Sequence, residues 1–417
     1  MAGREIREVG IVGAGIVGLS TAWFLQEQGV KVTVFDRKGV AAGASWGNAG
    51  WLTPGMAVPL PEPAVLRYGI RALLSSSSPV YVPPTTNPAT LTFLTQFARN
   101  CTAPRWRKAM QALIPLNNRA LEGFDALTDG GIDSPVRDAE PFIAAYRSAT
   151  DREALVEEYR HIHAAGQKID YDLISGDKAR DIEPALSDEV RAAILIHGQR
   201  FIDPAAYVHT LGDAVVARGA ELRIEPVTSV TSGTDAAQIN GHRFDAVVIA
   251  TGALLNTLAR PFGVKTIVQA GRGYSFSVEC EHLPVGPIYF PTQRLACTPL
   301  QNGRLRVAGM MEFRPADAPL DPRRIQALVD AGNALLEGAD LNDRQDEWVG
   351  ARPVTSDGLP VIGATTDPRV FVAGGHGMWG VLLGPITGRL VAQQITTGRM
   401  PSELASVDPL RGGRRRG

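Results

Sequence analysis

A chain of 417 residues with 44% apolar and 20% charged side chains is long enough to bury a large core and to hold two domains. Its formal net charge of −1 excludes a general electrostatic attraction to nucleic acid or to an acidic membrane surface. Three cysteines, Cys101, Cys280 and Cys297, lie far apart without C-x-x-C spacing, which argues against a disulfide frame or a zinc site and fits a reducing cytoplasm.

The first forty residues are the most informative. Arg4, Glu5, Arg7 and Glu8 lead straight into the apolar run Val9 to Val12, leaving no room for a signal peptide. That run fits a buried parallel strand. Gly13, Gly15 and Gly18 follow at G-x-G-x-x-G spacing, with Ala14, Ile16 and Val17 between them. Leu19, Ala22, Trp23 and Phe24 or Leu25 supply the inner side of a helix, and Gly29 falls at its C-cap. A second strand ends on Asp36. Gly13 permits the tight turn, Gly15 admits a pyrophosphate against the backbone, and Gly18 lets helix and strand pack closely. The helix N-terminus offers unpaired N–H groups and the positive end of its dipole, and Asp36 offers a carboxylate to a ribose. These residues predict an adenine dinucleotide, NAD or FAD.

Arg37 opens a loop of small residues through Gly50, suited to lying flat along a ligand. Eight prolines then fall between positions 53 and 90, so this stretch is neither one long helix nor a central strand. It reads as an excursion that forms a lid or packs on the core, with a partner surface or peripheral membrane contact through residues 57–74 as the alternatives. Residues 90–128 have helical spacing, with Pro115 expected to break the run. Thr150 and Glu153 fit a capping box for a helix reaching Gly166. His161 and His163, two apart, face different sides of that helix and make a poor metal pair. A strand is expected at 192–197, and Asp203-Pro204 opens a helix closed by Gly219. Strands follow at 220–224, 227–230 and 244–250, the last ending in Thr251-Gly252, and return the chain to a parallel sheet. Alternating segments at 273–278 and 304–309 predict antiparallel strands. Asp321-Pro322 caps a helix closing near Gly338, a strand covers 370–373, and a last helix runs to about Thr396. The end, from Arg411, is basic and reads as a solubilising tail. No apolar run approaches the length of a membrane span.

Two distant segments join the N-terminal fingerprint: Arg352-Pro-Val-Thr-Ser-Asp-Gly-Leu-Pro-Val-Ile-Gly363 and Gly375-His-Gly-Met-Trp-Gly380. Together they resemble the D-amino-acid oxidase-like family of FAD oxidoreductases. Ser45-Trp-Gly-Asn-Ala-Gly50, Phe97-Ala-Arg-Asn-Cys101, Ile182-Glu-Pro-Ala-Leu186 and Gly273-Tyr-Ser275 are most similar to the group of bacterial D-amino-acid dehydrogenase small subunits. The resemblance covers almost the whole chain. It implies an α/β (α+β overall) fold, with a glutathione-reductase-type, Rossmann-like FAD-binding domain and an interleaved substrate domain on a mixed β-sheet. The expected division is 1–55, 200–265 and 348–405 for the FAD domain, 56–199 and 266–347 for the substrate domain, and 406–417 for the basic tail.

The resemblance also implies roles for single residues. Gly13, Gly15 and Gly18 would hold the pyrophosphate and Asp36 the ribose. Ser45, Asn48, Ala49 and Gly50 would run beside the flavin, and Val227 would touch the adenine. Thr251 and Gly252 belong to the same cofactor set. Gly375, Gly377, Met378, Trp379 and Gly380 would lie under the pyrimidine ring. Arg352 matches the arginine that binds a substrate carboxylate and Tyr274 a tyrosine near it. His376 is either a proton handler or a residue suited to a tight turn; Tyr289 and Arg294 are further pocket candidates. No cysteine or histidine matches a covalent flavin attachment, so noncovalent FAD is expected. The implied reaction is oxidative deamination of a D-amino acid, D-proline or hydroxy-D-proline included, with electrons passed to a quinone-linked acceptor or electron-transfer chain. A glycine- or sarcosine-oxidase-like enzyme using oxygen is the alternative. The expected location is the cytoplasm, with possible contact at the inner face of the plasma membrane. Neither a metal nor a nucleic-acid partner is expected, and the oligomeric state stays open.

Overall fold

Strand Glu8–Val12 is buried from its second residue on, as a central parallel strand must be. A computed structural model, describing residues 6–63 and 80–412, sets it between Lys31–Asp36 and Ala246–Ile249, parallel to both. The full sheet runs Glu221–Ile224, Lys31–Asp36, Glu8–Val12, Ala246–Ile249, Val370–Gly374, Val361–Ala364, and only the last pair is antiparallel. Its strands come from the beginning, middle and end of the chain. Helices Ile16–Glu27, Pro204–Ala217 and Gly380–Thr397 cover one face. A three-stranded antiparallel sheet, Val230–Ser232, Ala237–Ile239 and His242–Phe244, packs on the other.

The N-terminal and C-terminal helices meet at backbone distance. A Cβ on Gly388 would lie 2.6 Å from the Ser20 carbonyl carbon and the Thr21 nitrogen, and one on Gly384 would lie 2.9 Å from Ile16 Cγ2. From another side, Gly123 on helix Ala120–Asp129 meets Ile386 equally closely. Glycine at these positions buys proximity.

The larger sheet has nine strands and is mixed. Its order is Arg344–Thr355, Val268–Val278, Leu305–Phe313, Leu295–Pro299, Ile288–Phe290, Ile143–Tyr146, Ala192–His197, Asp170–Ser175, with Val80–Tyr81 added beside Leu305–Phe313. The expected antiparallel pairing of 273–278 with 304–309 is present. Strand Arg344–Thr355 passes residue 348 without a break and stays in this sheet to Thr355. Helix Pro322–Gly332, capped by Asp321, covers the face bearing Tyr274 and Phe276; it ends at Gly332, short of Gly338.

Four local readings need correction. Residues 88–129 form three helices, Pro88–Asn100, Ala103–Asn117 and Ala120–Asp129. Pro115 lies inside the second and the chain breaks elsewhere: Thr102 is extended ahead of Pro104, which needs no donor in a first turn. The cap of helix Ala149–Ala165 is Ser148, not Thr150. Its Oγ accepts from Asp151 N at 3.1 Å and donates to Asp151 Oδ2 at 2.8 Å. Pairing after the fourth residue of Glu221–Ile224 resumes at Val230 and joins the small sheet, because Asn240 Oδ1 takes the N–H groups of Thr228 and Ser229. Finally, Arg411 is held by two bonds to the Asp357 carboxylate at 2.9 and 3.1 Å, so the tail does not begin there.

Of the stretch read as a lid, a core-packed excursion, a partner surface or a membrane contact, residues 57–59 are buried, Val58 within a core cluster with Met56 and Trp106. Residues 64–79 lie outside the described residues, as do 413–417 of the tail. No helix among the described residues is long and apolar enough to cross a membrane. Gly388→Ala should lower stability by about 1–3 kcal/mol, because the new methyl meets main chain that cannot yield; a lowered urea midpoint at unchanged slope checks this.

Candidate active site

The glycine turn is closed by the end of the second strand. Gly13 N–H donates to Phe35 O at 2.7 Å and Ala14 N–H to Asp36 Oδ2 at 2.9 Å, while Asp36 Oδ1 accepts from Lys38 and Gly39 N–H. Gly13 has φ 117, and a Cβ on Gly18 would collide with its carbonyl oxygen. Gly15 caps helix Ile16–Glu27, whose first turn carries no acidic side chain; Val17 O anchors Thr21 Oγ1 one turn on. Arg37 is exposed. Val227 packs against the core cluster that contains Val12 and Phe35. Ala250 N–H bonds Val12 O at 2.8 Å, which brings Thr251 and Gly252 beside Gly13.

The loop 45–51 continues this surface and runs into the seam between the sheets. Ser45 Oγ accepts from Ile16 N–H at 3.2 Å. Asn48 Oδ1 accepts from Gly50 N–H at 2.8 Å, and Gly50, at φ 78, lies against Ile202 O. Three residues of the larger sheet hold the loop from beneath. Thr298 Oγ1 donates to Ala49 O at 2.6 Å and accepts from Trp51 Nε1 at 2.9 Å. Arg306 donates to Trp46 O at 2.9 Å and lies 4.6 Å from the Trp46 ring. Trp348 packs against Gly47 and Trp46. Sequence reasoning missed all three: they sit some 250–300 positions from the loop and carry no local motif.

The C-terminal loop meets the same seam. Gly375 has φ 73, and residues 377–379 form a short 3₁₀ turn ahead of Gly380–Thr397. Trp379 Nε1 donates to Val58 O at 2.8 Å, and Met378 packs beside Leu60 and Val354. His376 turns inward. It is 4% exposed, its Nε2 lies 3.0 Å from Thr387 Oγ1, and burial pulls its pKa down to about 4. The ring is tied to the helix that follows it and packs the turn.

Arg352 is half-buried on the face of the large sheet that looks toward the loop. Its side chain lies over Gly273, where any Cβ would collide with the guanidinium, and Nη1 donates to Met310 O at 2.6 Å. Burial lowers its pKa to about 10, and it has no acidic partner among the described residues. Tyr274 is not beside it. Register pairs Arg352 with Gly271 and Gly273 with Gly350; side chains alternate along a strand, so Tyr274 points to the opposite face. There its hydroxyl donates to the buried Glu312 carboxylate at 2.7 Å, which Arg314 also holds at 2.9 Å. Burial and that bond push Tyr274 up to about 12. The expected Tyr274–carboxylate contact is thereby corrected: Tyr274 lies three residues beyond Gly271, the partner of Arg352, and that odd step sends the two side chains to different faces. Tyr289 and Arg294 do share the Arg352 side, Tyr289 packing edge-on at 5.3 Å from Trp51.

The cofactor-facing residues fit an adenine dinucleotide. Gly252 (φ 56) and Gly377 (φ 58) would each point a Cβ into open space, and the buried Thr251 Oγ1 has no hydrogen-bond partner among the described residues. Among the described residues no group of three or more His, Cys, Asp or Glu is placed to hold a metal ion.

Tyr274→Phe should cost about 1–3 kcal/mol in denaturant unfolding and change substrate KM less than about twofold, since the hydroxyl serves Glu312. For His376 the folded pKa lies below the unfolded value. Its stabilisation is therefore present above pH 6.5 and lost as pH falls toward about 4. His376→Gln should flatten that acid limb, worth on the order of 3 kcal/mol, in urea midpoints measured between pH 7.5 and 4.5.

Two D-amino acid dehydrogenases of Xylella fastidiosa strains 9a5c and M23 are each 29% identical, over 95% of this chain and 93% of theirs. The fold matches glycine oxidase from Geobacillus kaustophilus (TM-score 0.75, 21% identity, 98% of this chain and 99% of that one). It also matches L-proline dehydrogenase from P. horikoshii (TM-score 0.68, 16% identity, 98% of each). The family DAO, FAD dependent oxidoreductase, matches residues 8–394, and the chain belongs to that family.

Proposed function

We propose that the chain is an FAD-dependent dehydrogenase that oxidises a D-amino acid to an imine, which water converts to the 2-oxo acid and ammonia, with electrons delivered to a quinone-linked acceptor. The observation that carries this reading is Arg352: a half-buried guanidinium over a glycine, with a single carbonyl partner and no countercharge from the described residues. Removing a charge from water without an opposite charge costs several kcal/mol, and a substrate carboxylate offsets that cost. The planar fork can hold both carboxylate oxygens in parallel bonds, which fixes the orientation of Cα.

FAD, when bound, supplies the two-electron acceptor that no side chain offers. The protein's part is positional and electrostatic. Residues 45–50 and 375–380 form the surface on which the flavin would rest. The N–H groups at 377–380 and the positive end of helix Gly380–Thr397 favour negative charge at that edge. Trp46, Trp348 and Trp51 limit water at the seam. No general base is assigned: an amine that binds neutral needs none. The D configuration rests on the relatives' names, since mirror-image amino acids can share one carboxylate anchor.

Arg352→Met should lower kcat/KM by roughly 100-fold or more, and Arg352→Lys by about tenfold, the charge being kept and the fork lost. The deciding experiment is anaerobic mixing of the flavoprotein with matched D- and L-amino acids, proline, alanine and glycine derivatives included. Bleaching by D-amino acids supports the reading, and bleaching by none of them ends it. Peroxide formed in step with substrate loss in air moves the assignment to an oxidase.

A further inference from the structure

Strand Arg344–Thr355 presents Trp348, Gly350 and Arg352 on one face, because side chains two apart point the same way. Gly350 is paired with Gly273 on the neighbouring strand. Both glycines are covered. A Cβ on Gly350 would fall on Trp348 Cη2 and Cζ2, and one on Gly273 would fall on the Arg352 guanidinium. The indole and the arginine fork thus rest on two opposed glycines, whose Cβ positions in a strand pair are about 5 Å apart.

The same ring reaches the loop at 45–51. A Cβ on the buried Gly47 would fall on Trp348 Cε3 and Cδ2. One six-membered ring therefore fills the space of two missing side chains, one on the sheet and one on the loop. Gly47 stands between Trp46 and Ala49, whose carbonyls Arg306 and Thr298 hold. Those two bonds tie the loop to strands Leu305–Phe313 and Leu295–Pro299; the indole ties it to the strand of Arg352 itself. Trp46 packs beside Trp348 with ring centroids 6.3 Å apart, and Arg306 backs Trp46 at 4.6 Å. A stiff ring with few rotamers is thus set between the loop and the arginine.

We propose that Trp348 is a positioning residue: its indole is the spacer that sets the separation between loop 45–50 and the Arg352 fork, so that its bulk governs the rate of hydride transfer and not the affinity for the substrate carboxylate. This rests on the reading above, in which the loop runs beside the flavin and Arg352 holds the carboxylate. In that reaction the lone pair of the neutral amine closes the C=N bond as Cα–H breaks, and the hydrogen leaves for the flavin with both bonding electrons. Misplacing reacting atoms by about 1 Å costs on the order of 100-fold in rate. The carboxylate bonds belong to the Arg352 fork and do not involve the ring.

The test uses the FAD-loaded full chain, mixed anaerobically with a D-amino acid that bleaches it, and butyrate as a non-reacting carboxylate whose binding is read from the flavin spectrum. Trp348→Leu should lower the limiting rate of flavin reduction by about 30-fold or more, while FAD content and butyrate affinity change less than about threefold. Trp348→Phe keeps a six-membered ring and should lose less than about tenfold. Gly47→Ala puts a methyl where the indole lies and should also slow reduction. In the double variant that methyl replaces part of the lost bulk, so its rate should exceed the product of the two single losses by about tenfold. Single losses that simply multiply overturn the proposal. So does a Trp348→Leu enzyme that reduces at the wild-type rate, or one that loses butyrate affinity in step with rate. A Trp348→Leu chain that fails to fold or to hold FAD overturns it too, since the ring then serves the fold. If no D-amino acid bleaches the wild-type flavin, the D-amino-acid reading fails by itself, and the L-amino acid or amine that does bleach it carries the same comparison; a flavin that none of them reduces ends both.

Discussion

The seam between the two sheets is held through the main chain of residues 45–51. On one side Ser45 accepts from the first N–H of helix Ile16–Glu27; on the other Thr298 and Arg306 bond the carbonyls of Ala49 and Trp46. These contacts bind backbone, so they tolerate small side chains in the loop and in fact require them: Gly47 lies against Trp348, and Gly50 against Ile202 O. A loop held in this way keeps the dinucleotide surface and the Arg352 face in fixed relation. Everything proposed for the site depends on that relation.

The buried arginines show how similar residues come to different ends. Arg306 is buried, yet a carbonyl and an indole ring occupy it. Arg272 is buried near Glu312, 3.7 Å away, on the far face of the sheet. Each of these side chains serves the fold. Arg352 differs because its strand neighbours are glycines and its polar partner is a single carbonyl, so its fork is presented to whatever lies above the sheet.

Much of this was legible in the sequence, for physical reasons that can be named. The strand–glycine–helix unit and its closing Asp36 are local, and so are the caps at Asp203 and Asp321; local chemistry determines them. Arg352 and the 375–380 loop were legible as motifs. What failed was parity and distance. Similarity of motif puts Tyr274 near the carboxylate, but whether it shares a face with Arg352 depends on a strand register that no single segment carries. Ser148 outcompeted Thr150 as a cap because it holds the extended backbone a cap needs. Thr298, Arg306 and Trp348 carry no signal until the sheet brings them under the loop.

The interleaving of the parallel sheet has a consequence for how the molecule is made. Strand Glu8–Val12 leaves the ribosome early, but its neighbour Ala246–Ile249 is more than two hundred residues away, and Val370–Gly374 lies farther still. Until the last of these is synthesised the parallel sheet keeps one strand edge open beside an uncovered apolar face, the surfaces most prone to wrong association. The closing helix Gly380–Thr397 covers that face and completes the cofactor surface in one event. If residues 375–380 meet the flavin as proposed, a product cut short before residue 380 keeps its glycine fingerprint and lacks one of the two loops assigned to the cofactor.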